Sequence, residues 1–229
     1  MYSIRTFRRP IRKAIVFICF LVLGSCSIPF AQPRFAADID KFLKADSINF
    51  PPANAIVFTG SSSFTKWTDV RDYFPGYPII NRGFGGSILP DVIRYANKII
   101  IPYKPKQVVI YCGDNDLASS DTVTAQIVLD RFKELFFIIR NQLPNTNVVF
   151  VSIKPSPSRE RLLTKVQAAN TLVKNFLATQ KNTGFADVYH PMLGPDNLPV
   201  KDLFLDDMLH MKPNGYVIWQ KVIQPYLLK

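Results

Sequence analysis

At 229 residues with 48% hydrophobic side chains, the chain can bury one good core, and a single domain is the natural count. The net charge of +11 raises the question of nucleic acid. Its distribution answers it: Arg5, Arg8, Arg9, Arg12 and Lys13 all precede the first acid, Asp38, and without them 23 basic residues face 17 acidic ones. The rest are scattered, with no basic helix and no aromatic interleaving, so no nucleic-acid partner is expected.

The five charges lead into Ala14-Ile15-Val16-Phe17-Ile18-Cys19-Phe20-Leu21-Val22-Leu23, too short to span a bilayer alone but the length of a signal-peptide apolar core. It ends in Leu23-Gly24-Ser25-Cys26, which resembles a bacterial lipobox. A competing cut after Ala31 would leave Pro29 where a small residue is wanted. The expected organisation is a signal peptide over 1–26, a tether over 27–34 and one domain over 35–229. The expected localisation is the periplasm or cell envelope, with a lipid on Cys26 as membrane anchor. With Cys19 removed and Cys26 lipidated, Cys112 is left as a lone thiol and no intramolecular disulfide is available. Cys112 ends the apolar run Val108-Val109-Ile110-Tyr111 and reads as a small buried hydrophobe.

Apolar residues at helical spacing from Phe35 to Leu43 predict a short covering helix, stopped by Pro51-Pro52. Ala55 to Phe58 is a continuous apolar run that predicts a buried parallel strand. Further strands are expected at Pro78 to Asn81, Gln107 to Cys112, Asn147 to Ile153 and Phe185 to Tyr189. Helical patterns lie between them around 91–100, 122–142 and 159–181, and a last helix opens with Pro213. This alternation predicts an α/β three-layer sandwich, a parallel five-stranded sheet of flavodoxin-like order 2-1-3-4-5.

In such a sheet every loop after a strand opens on one edge, where ligands bind. There the chain carries its unusual polar segments. Gly60-Ser61-Ser62-Ser63 follows the first strand and offers Ser62 as a nucleophile, although the four residues alone read more readily as a turn with N-cap hydroxyls. A catalytic serine needs a base and a group to orient it. His210, three residues after Asp207, supplies both, whereas His190 is read as structural or rim, with no carboxylate at useful spacing. Gly86 and the Ser62 N–H can present backbone donors to an oxyanion, and Asn115 a side-chain amide. Lys154-Pro155-Ser156-Pro157-Ser158-Arg159 is a stiff loop expected to form a rim. Neither phosphate-cradling pattern is complete, and Asp114, Asp116, Asp206 and Asp207 lack a second histidine or a cysteine pair, so no metal or cofactor is expected.

Taken together, the segments resemble, in order and spacing, the blocks of the SGNH hydrolases, also called the GDSL esterases and acylhydrolases. Gly60-Ser61-Ser62 matches the Gly-Asp-Ser block, Asn81-x-x-x-x-Gly86 the second, Gly113-Asp114-Asn115-Asp116 the third and Asp207-Met208-Leu209-His210 the last. The resemblance covers about 54–226 and implies the SGNH hydrolase fold, a catalytic set of Ser62, Asp207 and His210, and an oxyanion hole of Ser62, Gly86 and Asn115. Ser61 departs from the block's aspartate, which changes the hydrogen bonding of the turn but no member of the triad. The expected function is a serine esterase working through an acyl-serine, as a carbohydrate O-deacetylase or as a lysophospholipase-type acyl-ester hydrolase. A non-catalytic glycan-binding module on the same fold is the rival. A phosphoacceptor domain using the aspartates fits poorly with export.

Overall fold

The computed structural model describes residues 33–229; the expected signal peptide, Cys26 and most of the tether lie outside the described residues. Five parallel strands, β1 (Ile56–Gly60), β2 (Ile79–Gly83), β3 (Gln107–Tyr111), β4 (Asn147–Val151) and β5 (Thr183–Ala186), form one sheet. Their order is β2-β1-β3-β4-β5, as the alternation of strands and helices predicts. Gly60 stands opposite Gly83 on one side and Tyr111 on the other, so β1, β2 and β3 end level and their loops open together.

The strands read as apolar runs because both faces are covered. Along β3, Val108 and Ile110 face one core and Val109 and Tyr111 the other; β4 divides Val148 and Phe150 from Val149 and Val151 in the same way. The first core is closed by α1 (Ala36–Ile48), α4 (Leu89–Ile99), α6 (Ala125–Gln142) and α7 (Leu163–Ala178). The second is closed by the short α2 (Ser62–Thr65) and α3 (Val70–Tyr73) and by α8 (Pro213–Ile223), and is filled with Phe58, Phe64, Trp67, Phe74 and Trp219. A last helix, α5 (Asp114–Ser119), sits directly after β3. Pro213 opens α8, as predicted, and Thr124 caps α6 by accepting from the Ile127 N–H. Among the described residues no helix is long and apolar enough to cross a membrane.

Two expectations about elements change. The first helix runs to Ile48 because Asp46, buried at 8% exposure, bonds Arg82 and the Tyr103 hydroxyl, a polar contact that apolar spacing does not reveal. The fifth strand sits earlier than Phe185 to Tyr189. Thr183 and Gly184 pair with Val148 and Val149, whereas the N–H groups of Val188 and Tyr189 bond the Ser152 hydroxyl. Cys112 is fully buried as expected, and burial, with Asp116 nearby, pushes its thiol up.

Candidate active site

Ser62 is the first residue of α2, immediately after the turn that ends β1. That turn needs Gly60: at φ +130° a Cβ there would lie 1.9 Å from the Tyr111 carbonyl oxygen, where β1 and β3 come together. Asn81 braces the turn from the neighbouring strand. Its Nδ2 donates to the carbonyls of Phe64 (2.7 Å) and Trp67 (3.3 Å), and its Oδ1 accepts from the Gly83 N–H (3.0 Å).

Ser62 Oγ lies 3.0 Å from His210 Nε2, and His210 Nδ1 lies 2.6 Å from Asp207 Oδ2. The second carboxylate oxygen accepts from the N–H groups of His210 (2.8 Å) and Leu209 (3.0 Å). The His210 N–H, with the imidazole adding to it, holds the Asp207 carboxyl well below the usual carboxylate range against a smaller opposing effect of burial. A carboxylate at Asp207 favours the imidazole tautomer with its proton on Nδ1, which leaves Nε2 to face the serine. The segment folds back at Met208 (φ +54°), whose carbonyl accepts from both the N–H (3.1 Å) and the hydroxyl (2.9 Å) of Ser158. An alcohol so placed can lose its proton to the imidazole as it attacks a carbonyl.

The donors expected for an oxyanion gather beside it. Gly85 lies against Ser62, at 3.8 Å from a built Cβ to the serine Cβ, and Gly86 follows at φ +82°. Arg34 Nη2 donates to the Gly86 carbonyl (3.0 Å). Among the described residues the N–H groups of Gly86 and Ser62 donate to no protein acceptor. Asn115 Nδ2, by contrast, is already engaged by Ser61 Oγ (2.7 Å) and the Ser87 carbonyl (3.0 Å), so an arriving oxyanion would share or displace one of these bonds. The replacement of aspartate by Ser61 thus has a visible consequence, a neutral hydroxyl as acceptor for Asn115.

Only the outer half of the loop after β4, Pro157 to Arg159, reaches the surface as a rim would. Lys154 and Ser156 are buried at 2% and 1% exposure. Lys154 Nζ lies 3.2 Å from Asp114 Oδ2 and 3.0 Å from Ser156 Oγ, while Arg159 pairs with Asp114 and donates from Nη2 to Asn115 Oδ1 (2.8 Å). Burial alone would raise the Asp114 carboxyl; Lys154 and Arg159 outweigh it and bring it below the usual range. Arg159 thereby fixes which way the Asn115 amide faces. Asp116 acts as a brace instead, accepting from the Leu89 N–H (3.0 Å) and from Arg131 (2.8 Å) and so tying the start of α4 to α5 and α6. Among the described residues no three His, Cys, Asp or Glu side chains cluster to hold a metal ion.

The profile of the GDSL-like Lipase/Acylhydrolase family matches residues 51–218. The chain belongs to this family. GDSL-like acylhydrolases cleave esters, and the protein is accordingly an ester hydrolase. Solved structures agree on the fold. A GDSL-like lipase from Bacteroides thetaiotaomicron superposes with a TM-score of 0.71 at 20% identity, covering 82% of this chain and 96% of its own. An acylhydrolase candidate from Bacteroides fragilis gives 0.73 at 21% identity over 83% and 95%. A catalytic mutant of an acetylxylan esterase from Geobacillus stearothermophilus gives 0.59 at 13% identity over 78% and 96%. No curated protein matches the chain.

His190 does have a carboxylate at useful spacing: Asp187, three residues before it, lies 2.7 Å from its Nδ1. The same Asp-x-x-His signal as Asp207 to His210 was present in the sequence, concealed because Asp187 fell inside the expected fifth strand.

Proposed function

We propose that the protein is a serine esterase in which Ser62 is the nucleophile, His210 the general base and Asp207 the group that orients it. The observation that carries the reading is the chain of contacts Ser62 Oγ to His210 Nε2 (3.0 Å) and His210 Nδ1 to Asp207 Oδ2 (2.6 Å). His210 takes the serine proton as Oγ bonds to the ester carbon, and the N–H groups of Ser62 and Gly86 with the Asn115 amide receive the oxyanion. Collapse expels the alcohol, which takes the proton from the imidazolium and leaves an acyl-Ser62. Water, deprotonated by the same imidazole, then releases the acid. The favoured substrate class is O-acetylated carbohydrate of the cell envelope or diet, supported by the acetylxylan esterase among the fold relatives. A lysophospholipid-type acyl ester is the alternative.

Ser62→Ala is expected to abolish hydrolysis of p-nitrophenyl acetate and labelling by a fluorophosphonate probe while the melting temperature stays put. Unchanged turnover would end the assignment. The apolar leader and the sequence around Cys26 further support an exported protein held in the envelope by a lipid on that cysteine. Cys26→Ser should shift the protein from the membrane fraction of its host to the soluble one; an unchanged distribution would exclude the anchor.

A further inference from the structure

Arg34, where the expected tether gives way to the domain, is docked rather than free. Its backbone carbonyl accepts from the buried Tyr95 hydroxyl (2.7 Å). Its guanidinium packs over the Phe35 ring at 4.5 Å, and Phe35 in turn meets Phe84 edge-on at 5.1 Å. Nη2 donates to the Gly86 carbonyl (3.0 Å), and Nη1 reaches Asp91 Oδ2 (3.4 Å), the oxygen that also accepts from the Ile88 N–H (3.0 Å). One forked side chain thus grips the segment from Gly86 to the first turn of α4 at two points.

That segment carries the Gly86 N–H, and Gly85 and Gly86, having no side chains, are held through backbone atoms alone. On the near side the Phe84 N–H donates to the Gly60 carbonyl (2.9 Å). On the far side the Ser87 carbonyl accepts from Asn115 Nδ2 (3.0 Å), and the Leu89 N–H donates to Asp116 (3.0 Å). Between these fixed points Gly86 sits at φ +82°, a conformation that glycine enters and leaves at little steric cost. Among the described residues its carbonyl has one partner, Arg34.

We propose that Arg34 is a positioning residue for the reaction, holding the Gly86 loop where its N–H meets the oxyanion; this rests on the serine-esterase reading above. Arg34 acts through Gly86 and touches no reacting atom. Without the guanidinium the loop samples other conformations, and kcat falls with the fraction of time the N–H is out of place. Substrate binding, which precedes the growth of charge on the carbonyl oxygen, changes little. The residue just ahead of α1 then belongs to the catalytic apparatus rather than to a spacer.

Steady-state kinetics of the full chain on p-nitrophenyl acetate tests it, with Arg34→Met, Arg34→Lys and, as a control for lost charge, Arg94→Met at an exposed position of α4. Arg34→Met should lower kcat by about tenfold, the scale of one hydrogen bond from a charged donor, with KM and melting temperature close to the parent's. Arg34→Lys keeps a cationic donor for the Gly86 carbonyl but not the fork that also meets Asp91, and should recover part of the loss. The rate at which a fluorophosphonate labels Ser62 should fall in step with kcat, because its phosphoryl oxygen enters the same hole. Unchanged kcat in Arg34→Met, a change carried by KM alone, no recovery in Arg34→Lys, or an equal loss in Arg94→Met would each overturn the positioning role while leaving Ser62 as the nucleophile. A parent that neither hydrolyses the ester nor takes up the probe would instead remove the esterase reading, and this role with it.

Discussion

Ser61 shows how one side chain resets a site without entering the chemistry. In the GDSL block an aspartate stands there; here the hydroxyl accepts from Asn115 Nδ2 at 2.7 Å, with Asn115 Oδ1 held by Arg159 and its other N–H by the Ser87 carbonyl. The amide is thus oriented from three sides, and Ser61 is the most dispensable of the three. Ser61→Ala should free one N–H for the oxyanion and change kcat by less than about tenfold, whereas Asn115→Ala removes the donor and should lower kcat by about 10²–10³. Steady-state kinetics on p-nitrophenyl acetate separates them; equal losses would mean that Asn115 acts through Ser61 rather than on the substrate.

At the scale of elements, what was legible in the sequence was what repeats or breaks a pattern. The apolar runs of β1, β3 and β4 announced a parallel sheet because each strand is buried on both faces, and glycines and polar residues directly after them marked where loops open. Ser62, Gly86 and Asn115 were singled out that way, and the Asp207 to His210 turn by the spacing of its carboxylate and imidazole. Elements stabilised by polar burial were not. The last turns of α1 depend on Asp46 meeting Arg82 and Tyr103, and β5 begins with Thr183 and Gly184, whose place is set by pairing to β4 rather than by hydrophobicity. The β4 loop misled for the same reason: Lys154 and Arg159 look like solvated charges until Asp114, some forty residues earlier, is brought against them.

Across the whole molecule, that buried cluster is the joint between the β3 loop, which carries Asn115, and the β4 loop, which holds the Asp207 to His210 turn through Ser158. One carboxylate balances two cations there, so its charge matters to the fold as well as to the site. The Asp114 carboxyl titrates below its unfolded value, because Lys154 and Arg159 outweigh the effect of burial. A group shifted in that direction stabilises the fold above its unfolded pKa, and the contribution is lost as pH falls through the folded one. Asp116, raised by burial, works in the opposite sense: its contribution fades as pH rises through its folded value. Asp114→Asn leaves the buried Lys154 and the half-buried Arg159 without their carboxylate at neutral pH and should cost about 3–5 kcal/mol in urea unfolding. As pH falls from about 4, where the unfolded carboxyl takes its proton, through the lower folded value, the parent's own carboxyl becomes protonated and the parent comes to resemble the variant, so the gap between them should close over that range. A gap that stays constant from neutral to acid pH would show that Asp114 contributes its shape and hydrogen bonds, and that the charge on Lys154 and Arg159 is balanced by something else.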